Sequence, residues 1–195
     1  NGKVTVKDII RRDTIGRSTR YYVSFSSQNE KALYGLGSHM EDYLNLVGKT
    51  LYLTQHNLKA MLPMLCSTNG YGLLFDAGCA MKFKNDGSIT TMQLEGAKTL
   101  DYYFIKGARL DDVVAGYRYL TGEVSLMPRY LFGYTQSKER YVSSDDIINT
   151  LKEYRRRHVP IDMIVQDWNY WPEGWGYMKM NPKYYPSPKA LADSV

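Results

Sequence analysis

From Lys3 to about Lys106, apolar and polar residues alternate with the period of two that a half-buried strand requires. Tyr21–Phe25 (YYVSF), Tyr71–Phe75 (YGLLF) and Asp101–Ile105 (DYYFI) gather the aromatic and β-branched residues that fit a pleated surface. Asn69-Gly70 and Asn85-Asp86-Gly87 fall between such runs, and both tolerate the backbone angles of tight turns. Many short strands broken by turns predict two antiparallel sheets packed face to face, a β-sandwich.

The period then changes. Leu110, Val113, Val114, Tyr117 and Leu120 recur at helical spacing, and Gly122 closes the segment. Leu131 to Gln136 reads as a strand. Ser143-Ser144-Asp145-Asp146 starts a helix with Ile147, Ile148, Leu151 and Tyr154 on one face, and Pro160 is expected to end it. Ile161 to Gln166 reads as a second strand, completing a strand–helix–strand unit of about 35 residues with a right-handed crossover. A loop rich in Trp, Gly and Pro follows, then a helix beginning at Ser187. Parallel strands are normally buried on both faces within sets of four or more, which two strands and their helices cannot supply. The expectation is therefore a complete first domain over residues 1–122, with its closing helix, and an incomplete second domain over 123–195. The alternative is one small domain whose last two strands join the preceding sheet.

Composition narrows the function classes. Of 195 residues, 44% are hydrophobic and 23% charged, which excludes a disordered chain. No run approaches the roughly 18 apolar residues of a membrane span, and no basic-then-apolar N-terminal segment reads as a signal peptide, so no membrane partner is expected. The chain opens at Asn1 rather than Met, which suggests a sequence processed, trimmed or cut from something longer. The formal charge of +5 is spread out, and its densest cluster, Arg155-Arg156-Arg157-His158, falls where cations offset a helix dipole. No nucleic-acid partner is expected. Cys66 and Cys79 have no C-x-x-C or His/Cys spacing that would hold a metal, and they read as small buried hydrophobes. Tyrosine is unusually frequent, at 18 against 5 Phe and 3 Trp, and suits sheet surfaces and polar ligands alike.

Sites on parallel sheets and barrels form where strands end. That points to Gln136–Tyr141 and, more sharply, to Asp167-Trp168-Asn169-Tyr170-Trp171. A carboxylate at a strand mouth needs hydrogen-bonding partners, which sugar hydroxyls provide, and neighbouring indoles can stack on the C–H face of a sugar ring. The bland alternatives are an aspartate capping its own loop and tryptophans packed in a core.

Six landmarks in order now point to a family. They are Leu33-Tyr34-Gly35-Leu36-Gly37, read as a turn; Gly70 to Asp76 (GYGLLFD); Tyr119-Leu120-Thr121-Gly122 followed by Met127-Pro128; Leu131-Phe132-Gly133-Tyr134; Val159-Pro160-Ile161-Asp162 through Asp167; and Tyr185-Pro186-Ser187-Pro188. From Leu33 to Val195 the sequence resembles glycoside hydrolase family 31, closer to its bacterial α-xylosidase-like members than to mammalian digestive ones. The resemblance implies a galactose-mutarotase-like β-sandwich followed by the first βαβ unit of a (β/α)8 TIM barrel. It also implies a retaining, exo-acting α-glycosidase acting on terminal α-linked xylose or glucose of oligosaccharides. Such enzymes need two carboxylates about 5 Å apart and no cofactor. The family's catalytic aspartates have no match here, and neither Asp162 nor Glu173 is promoted to the role. The resemblance makes Asp167 an acceptor for sugar hydroxyls and Trp168 and Trp171 aromatic walls. In the family a sandwich loop adds an acidic contact; at Leu53–Leu58 no Asp occurs, and Gln55, His56 and Asn57 are the candidate substitutes. Lys138 reads as a surface lysine. A non-catalytic carbohydrate-binding module, or a purely structural role, remains open as a competing function.

Overall fold

The computed structural model describes residues 9–16 and 18–195; the start of the alternating stretch at Lys3 lies outside the described residues. These residues divide into two compact units, one ending at Glu123 and one spanning Val124–Val195.

In the first unit, β1 (Ile9–Ile15), β2 (Ser18–Ser26), β4 (Thr50–Leu53), β7 (Met81–Asn85) and β8 (Ile89–Glu95) form one antiparallel sheet in the order β1-β2-β8-β7-β4. A second holds β3 (Leu33–Ser38), β5 (Ala60–Ser67), β6 (Tyr71–Phe75) and β9 (Tyr102–Lys106) in the order β3-β5-β6-β9. Register turns the alternation into rows. Leu51 faces Phe83, Phe83 faces Met92 and Met92 faces Val23; one row over, Leu53, Met81 and Leu94 line up in the same way. These side chains meet Leu33, Leu36, Leu65, Leu73 and Phe75 of the second sheet in one core, where each fully buried side chain contributes about 1.5–3 kcal/mol. Asn85 ends its row as a polar plug: it accepts from the Gly48 and Gly87 amides and donates to Ser27 and Thr90.

The Tyr34-Gly35-Leu36-Gly37 segment, expected as a turn, lies inside β3. Its three residues Gly35, Leu36 and Gly37 take φ of 102°, 63° and 96°, and the pairing with β5 shifts register between the two glycines. A Cβ on Gly37 would stand 1.9 Å from the Ala60 carbonyl oxygen, so only glycine allows this bulge beside its neighbour.

Helix α1 (Leu110–Thr121) covers the outer face of the second sheet. Asp112 accepts from the Ala108 and Arg109 amides at its start, and the Gly122 amide closes onto Arg118 at its end. Only Val113 is buried, against Met64 and Ile105. Gly72, whose missing Cβ would lie 2.5 Å from Val113, lets the helix come close along this narrow line and leaves Val114 and Leu120 exposed, against the broader apolar face expected.

The second unit contains β10 (Thr135–Gln136), α2 (Ser144–Arg156), β11 (Met163–Ile164) and α3 (Pro188–Ser194). β10 and β11 pair in parallel with α2 between them. Both strands are shorter than the predicted Leu131–Gln136 and Ile161–Gln166. After Pro128 the chain winds into a 3₁₀ turn, Arg129–Phe132, and the Asp162 carboxylate takes the Tyr134 amide at 3.0 Å, occupying a ladder position just before β11. Ser143 caps α2 by accepting from the Asp146 amide. The helix ends at Arg156, before Pro160, because the Arg157 and His158 amides close back on Glu153 and Arg155 while His158 takes a φ of 55°. The basic cluster is engaged locally: Arg156 and Arg157 pair with Glu153, and Arg155 donates to the Ile161 carbonyl. Cys66 and Cys79 are free and half-buried rather than fully buried, and burial raises both thiols above their ordinary range.

Candidate sugar-binding site

Two loops follow the carboxyl ends of the parallel strands, 137–143 after β10 and 165–187 after β11. One phenol fastens them together. Tyr185, 2% exposed, donates to the Tyr141 carbonyl at 2.5 Å and lies 3.1 Å from Gln166 Oε1. Its burial among Tyr141, Ile147 and Leu191 pushes the phenol above its ordinary range. Asn181 organises the outer part of the second loop: its amide donates to the Tyr170 carbonyl, and its own carbonyl accepts from Tyr184 and Tyr185. The Ser144 amide donates to the Tyr184 carbonyl, tying this loop to the start of α2.

Asp167 lies three residues beyond β11. The strand-mouth argument expected a buried carboxylate in need of partners; Asp167 is instead exposed, with no side-chain hydrogen bond or ion pair among the described residues. It is a free acceptor, already solvated. Trp168 and Trp171 are half-buried, and Trp175, 79% exposed, touches both. Its ring centroid is 5.5 Å from Trp168 at 44° and 5.3 Å from Trp171 at 79°. Tyr170 meets Trp171 edge-on at 5.2 Å, and the Arg140 guanidinium stands 6.0 Å from the Trp168 centroid. A cleft of about 500 Å³ is lined by Trp171, Arg140, Asn169, Tyr170, Asn181 and Tyr184 among others, within the size range of small-molecule sites. Trp171 lines that cleft; Asp167 and Trp168 do not.

His56 and Asn57 occupy the exposed tip of the turn joining β4 to β5, in the first unit. Gln55 braces the neck of this turn, accepting from the Met61 amide at 3.0 Å and donating to the Lys59 carbonyl. Lys59 donates to Glu41 at 2.7 Å, and this bond holds the Glu41 carboxyl below the usual carboxylate range. Lys138 pairs with Asp146 at 3.3 Å and overlies the Tyr141 ring. Among the described residues no group of three or more His, Cys, Asp or Glu converges as a metal site would. Sequence reasoning missed Trp175 and the fastening role of Tyr185. The only available signal for the first was three tryptophans crowded into eight positions; the second rests on contacts far apart in sequence.

Residues 124–195 match the model of the glycosyl hydrolases family 31 TIM-barrel domain. An alpha-xylosidase of Saccharolobus solfataricus is 36% identical over 181 residues, covering 88% of this chain and 25% of its own length. Residues 124–195 belong to the TIM-barrel domain of glycosyl hydrolase family 31. A family 31 glucosidase of Pseudescherichia vulneris is 30% identical over 89% of the chain and 32% of its own length. Among solved structures, a family 31 alpha-xylosidase from a soil metagenome, complexed with xylose, superposes with a TM-score of 0.81 at 30% identity, over 94% of this chain and 27% of that one. The xylosidase from Aspergillus niger shares the fold with a TM-score of 0.80 at 20% identity, over 96% of this chain and 26% of that one. The chain thus spans about a quarter to a third of the length of the curated relatives named here.

Proposed function

We propose that this chain is the N-terminal portion of a retaining, exo-acting α-glycosidase that removes terminal α-linked xylose or glucose from oligosaccharides. The observation that carries the reading is Asp167, an unpartnered carboxylate among the described residues that precedes Trp168, a member of a cluster of three indoles in the loop after β11. A carboxylate accepts hydrogen bonds from two adjacent sugar hydroxyls while an indole covers the apolar C–H face, and charged-acceptor bonds of this kind contribute roughly 1.5–3 kcal/mol each. Relatives named alpha-xylosidase and family 31 glucosidase support the reaction class.

In this reading residues 1–122 form the sandwich with its closing helix, and residues 123–195 open a (β/α)8 barrel. Asp167 binds the terminal sugar and Trp168 and Trp171 wall it, while His56 and Asn57 are the candidate sugar contacts of the β4–β5 turn. The two catalytic carboxylates are supplied by parts of the family fold that this chain does not match. Asp162 is committed to the Tyr134 amide, and Glu173 is an exposed loop residue. Chemistry of this type runs on carboxylates alone, without a cofactor.

The native gene product, incubated with an α-linked xylosyl or glucosyl disaccharide and followed by proton NMR, is expected to release the α-anomer of the sugar first. Release of no xylose or glucose, or of the β-anomer first, refutes the reading. The 195-residue chain alone is expected to leave an aryl α-glycoside intact. A second reading, a carbohydrate-binding module, draws on Tyr103 and Phe104, which leave aromatic surface exposed on β9. It requires that residues 1–122 alone bind xyloglucan oligosaccharides in isothermal titration.

A further inference from the structure

Trp175 is the most exposed of the three tryptophans, yet its ring is held in place rather than loose in solvent. Trp168 and Trp171 both press against it, one tilted and one edge-on. Its neighbours on either side are Gly174 and Gly176, and a Cβ built on either would meet nothing within 4 Å, so no side chain flanks it along the chain. Gly176, at a φ of 88°, turns the chain immediately afterwards. A large apolar ring kept oriented and 79% uncovered is costly in water unless something covers it. The groups around it limit what that can be. Among the described residues Asp167 is a free acceptor, and Arg140 carries five donors beside Trp168 and makes no ion pair. An exposed apolar face packed on Trp168, itself flanked by these hydrogen-bonding groups, matches a sugar, which is apolar on its C–H face and polar at its rim.

We infer that Trp175 is the stacking platform for the sugar on the leaving side of the bond that is cleaved, and so sets the preference for an oligosaccharide over a simple glycoside. This rests on the α-glycosidase reading above. The assignment to the leaving side follows from the gradient of exposure along the loop. An exo-acting site encloses the terminal sugar and lets the rest of the chain run outward; Trp168 and Trp171 are half-buried, and Trp175, eight residues past Asp167, is the outermost ring.

The test compares the wild-type full-length protein with Trp175→Ala and Trp175→Tyr on two substrates, α-xylosyl-(1→6)-glucose and α-xylosyl fluoride. The fluoride has no leaving-side sugar. With Trp175→Ala, kcat/KM on the disaccharide is expected to fall about tenfold, mostly through KM, which corresponds to about 1.4 kcal/mol. On the fluoride any loss is expected to be at least severalfold smaller than on the disaccharide, and Trp175→Tyr is expected to restore most of the loss on the disaccharide. Equal losses on both substrates, or no loss on either, overturn the inference. Failure of the glycosidase reading shows itself separately, as a wild-type protein that turns over neither substrate. Stacking is then read from equilibrium titration with the sulfur-linked analogue of the disaccharide, which is not cleaved: affinity about tenfold weaker in Trp175→Ala supports the platform, and unchanged affinity overturns it.

Discussion

Replacing Tyr185 with Phe removes one oxygen atom and keeps the ring, so it isolates what the hydroxyl contributes to holding the two site loops together. The ring is 2% exposed and its packing against Tyr141, Ile147 and Leu191 survives the change. The hydroxyl's bond to the Tyr141 carbonyl at 2.5 Å is lost, and that carbonyl keeps only a long contact to Gln166 Nε2 at 3.4 Å. A typical buried hydrogen bond contributes about 1 kcal/mol net, and an acceptor left nearly unsatisfied costs a further 1–3 kcal/mol; the expected loss is about 1.5–3 kcal/mol. All three tryptophans lie in the second unit, so tryptophan emission during urea denaturation reports that unit's unfolding without interference from the first. The midpoint should fall with the slope unchanged. Tyr184→Phe is the control: Tyr184 is 46% exposed and its hydroxyl makes no bond among the described residues, so the change should stay within about 0.5 kcal/mol. If Tyr185→Phe matches that control, the phenol does not fasten the loops.

Two further predictions concern stability. Gly37→Ala would drive a Cβ into the Ala60 carbonyl at a φ of 96°, with backbone on both sides and no side chain free to yield; a loss of about 3 kcal/mol or more, read by far-UV circular dichroism, is expected, and a loss under 1 kcal/mol contradicts the bulge. Arg156 and Arg157 hold the Glu153 carboxyl down at about 2, below its ordinary 4.5. A depressed carboxylate stabilises the folded state above its unfolded pKa and loses that contribution as pH falls from about 4.5 toward 2. The stability gap between wild type and Glu153→Gln should therefore close across that window and shrink in high salt; a gap independent of pH rules out the pairing.

Elements defined by local pattern were legible. Tyr71–Phe75 emerged as a strand with the predicted bounds, Tyr21–Phe25 lies within β2, and the Ser143 cap and Gly122 stop fall where the spacing placed them. What failed depended on partners distant in sequence. The glycines of Gly35–Gly37 look like turn residues on their own, and only the register against β5 makes them a bulge inside a strand. The strands around Tyr134 and Ile161 were overestimated because the Asp162 side chain competes for a backbone amide, which alternation does not encode. Pro160 drew attention as a helix stop, but the helix had already closed on Glu153 and Arg155. At the site, Asp167 and its neighbouring indoles stood out as an acid and rings at a strand's end, while its exposure, the position of Trp175 and the grip of Tyr185 are tertiary facts.

The most direct test of the account is Asp167→Ala in the full-length protein, assayed on an α-linked xylosyl or glucosyl disaccharide. Loss of two charged-acceptor hydrogen bonds worth roughly 1.5–3 kcal/mol each predicts a fall in kcat/KM of about a hundredfold or more. The urea midpoint should be unchanged, since the exposed carboxylate makes no intramolecular bond. Activity within threefold of wild type would mean that Asp167 does not hold the sugar.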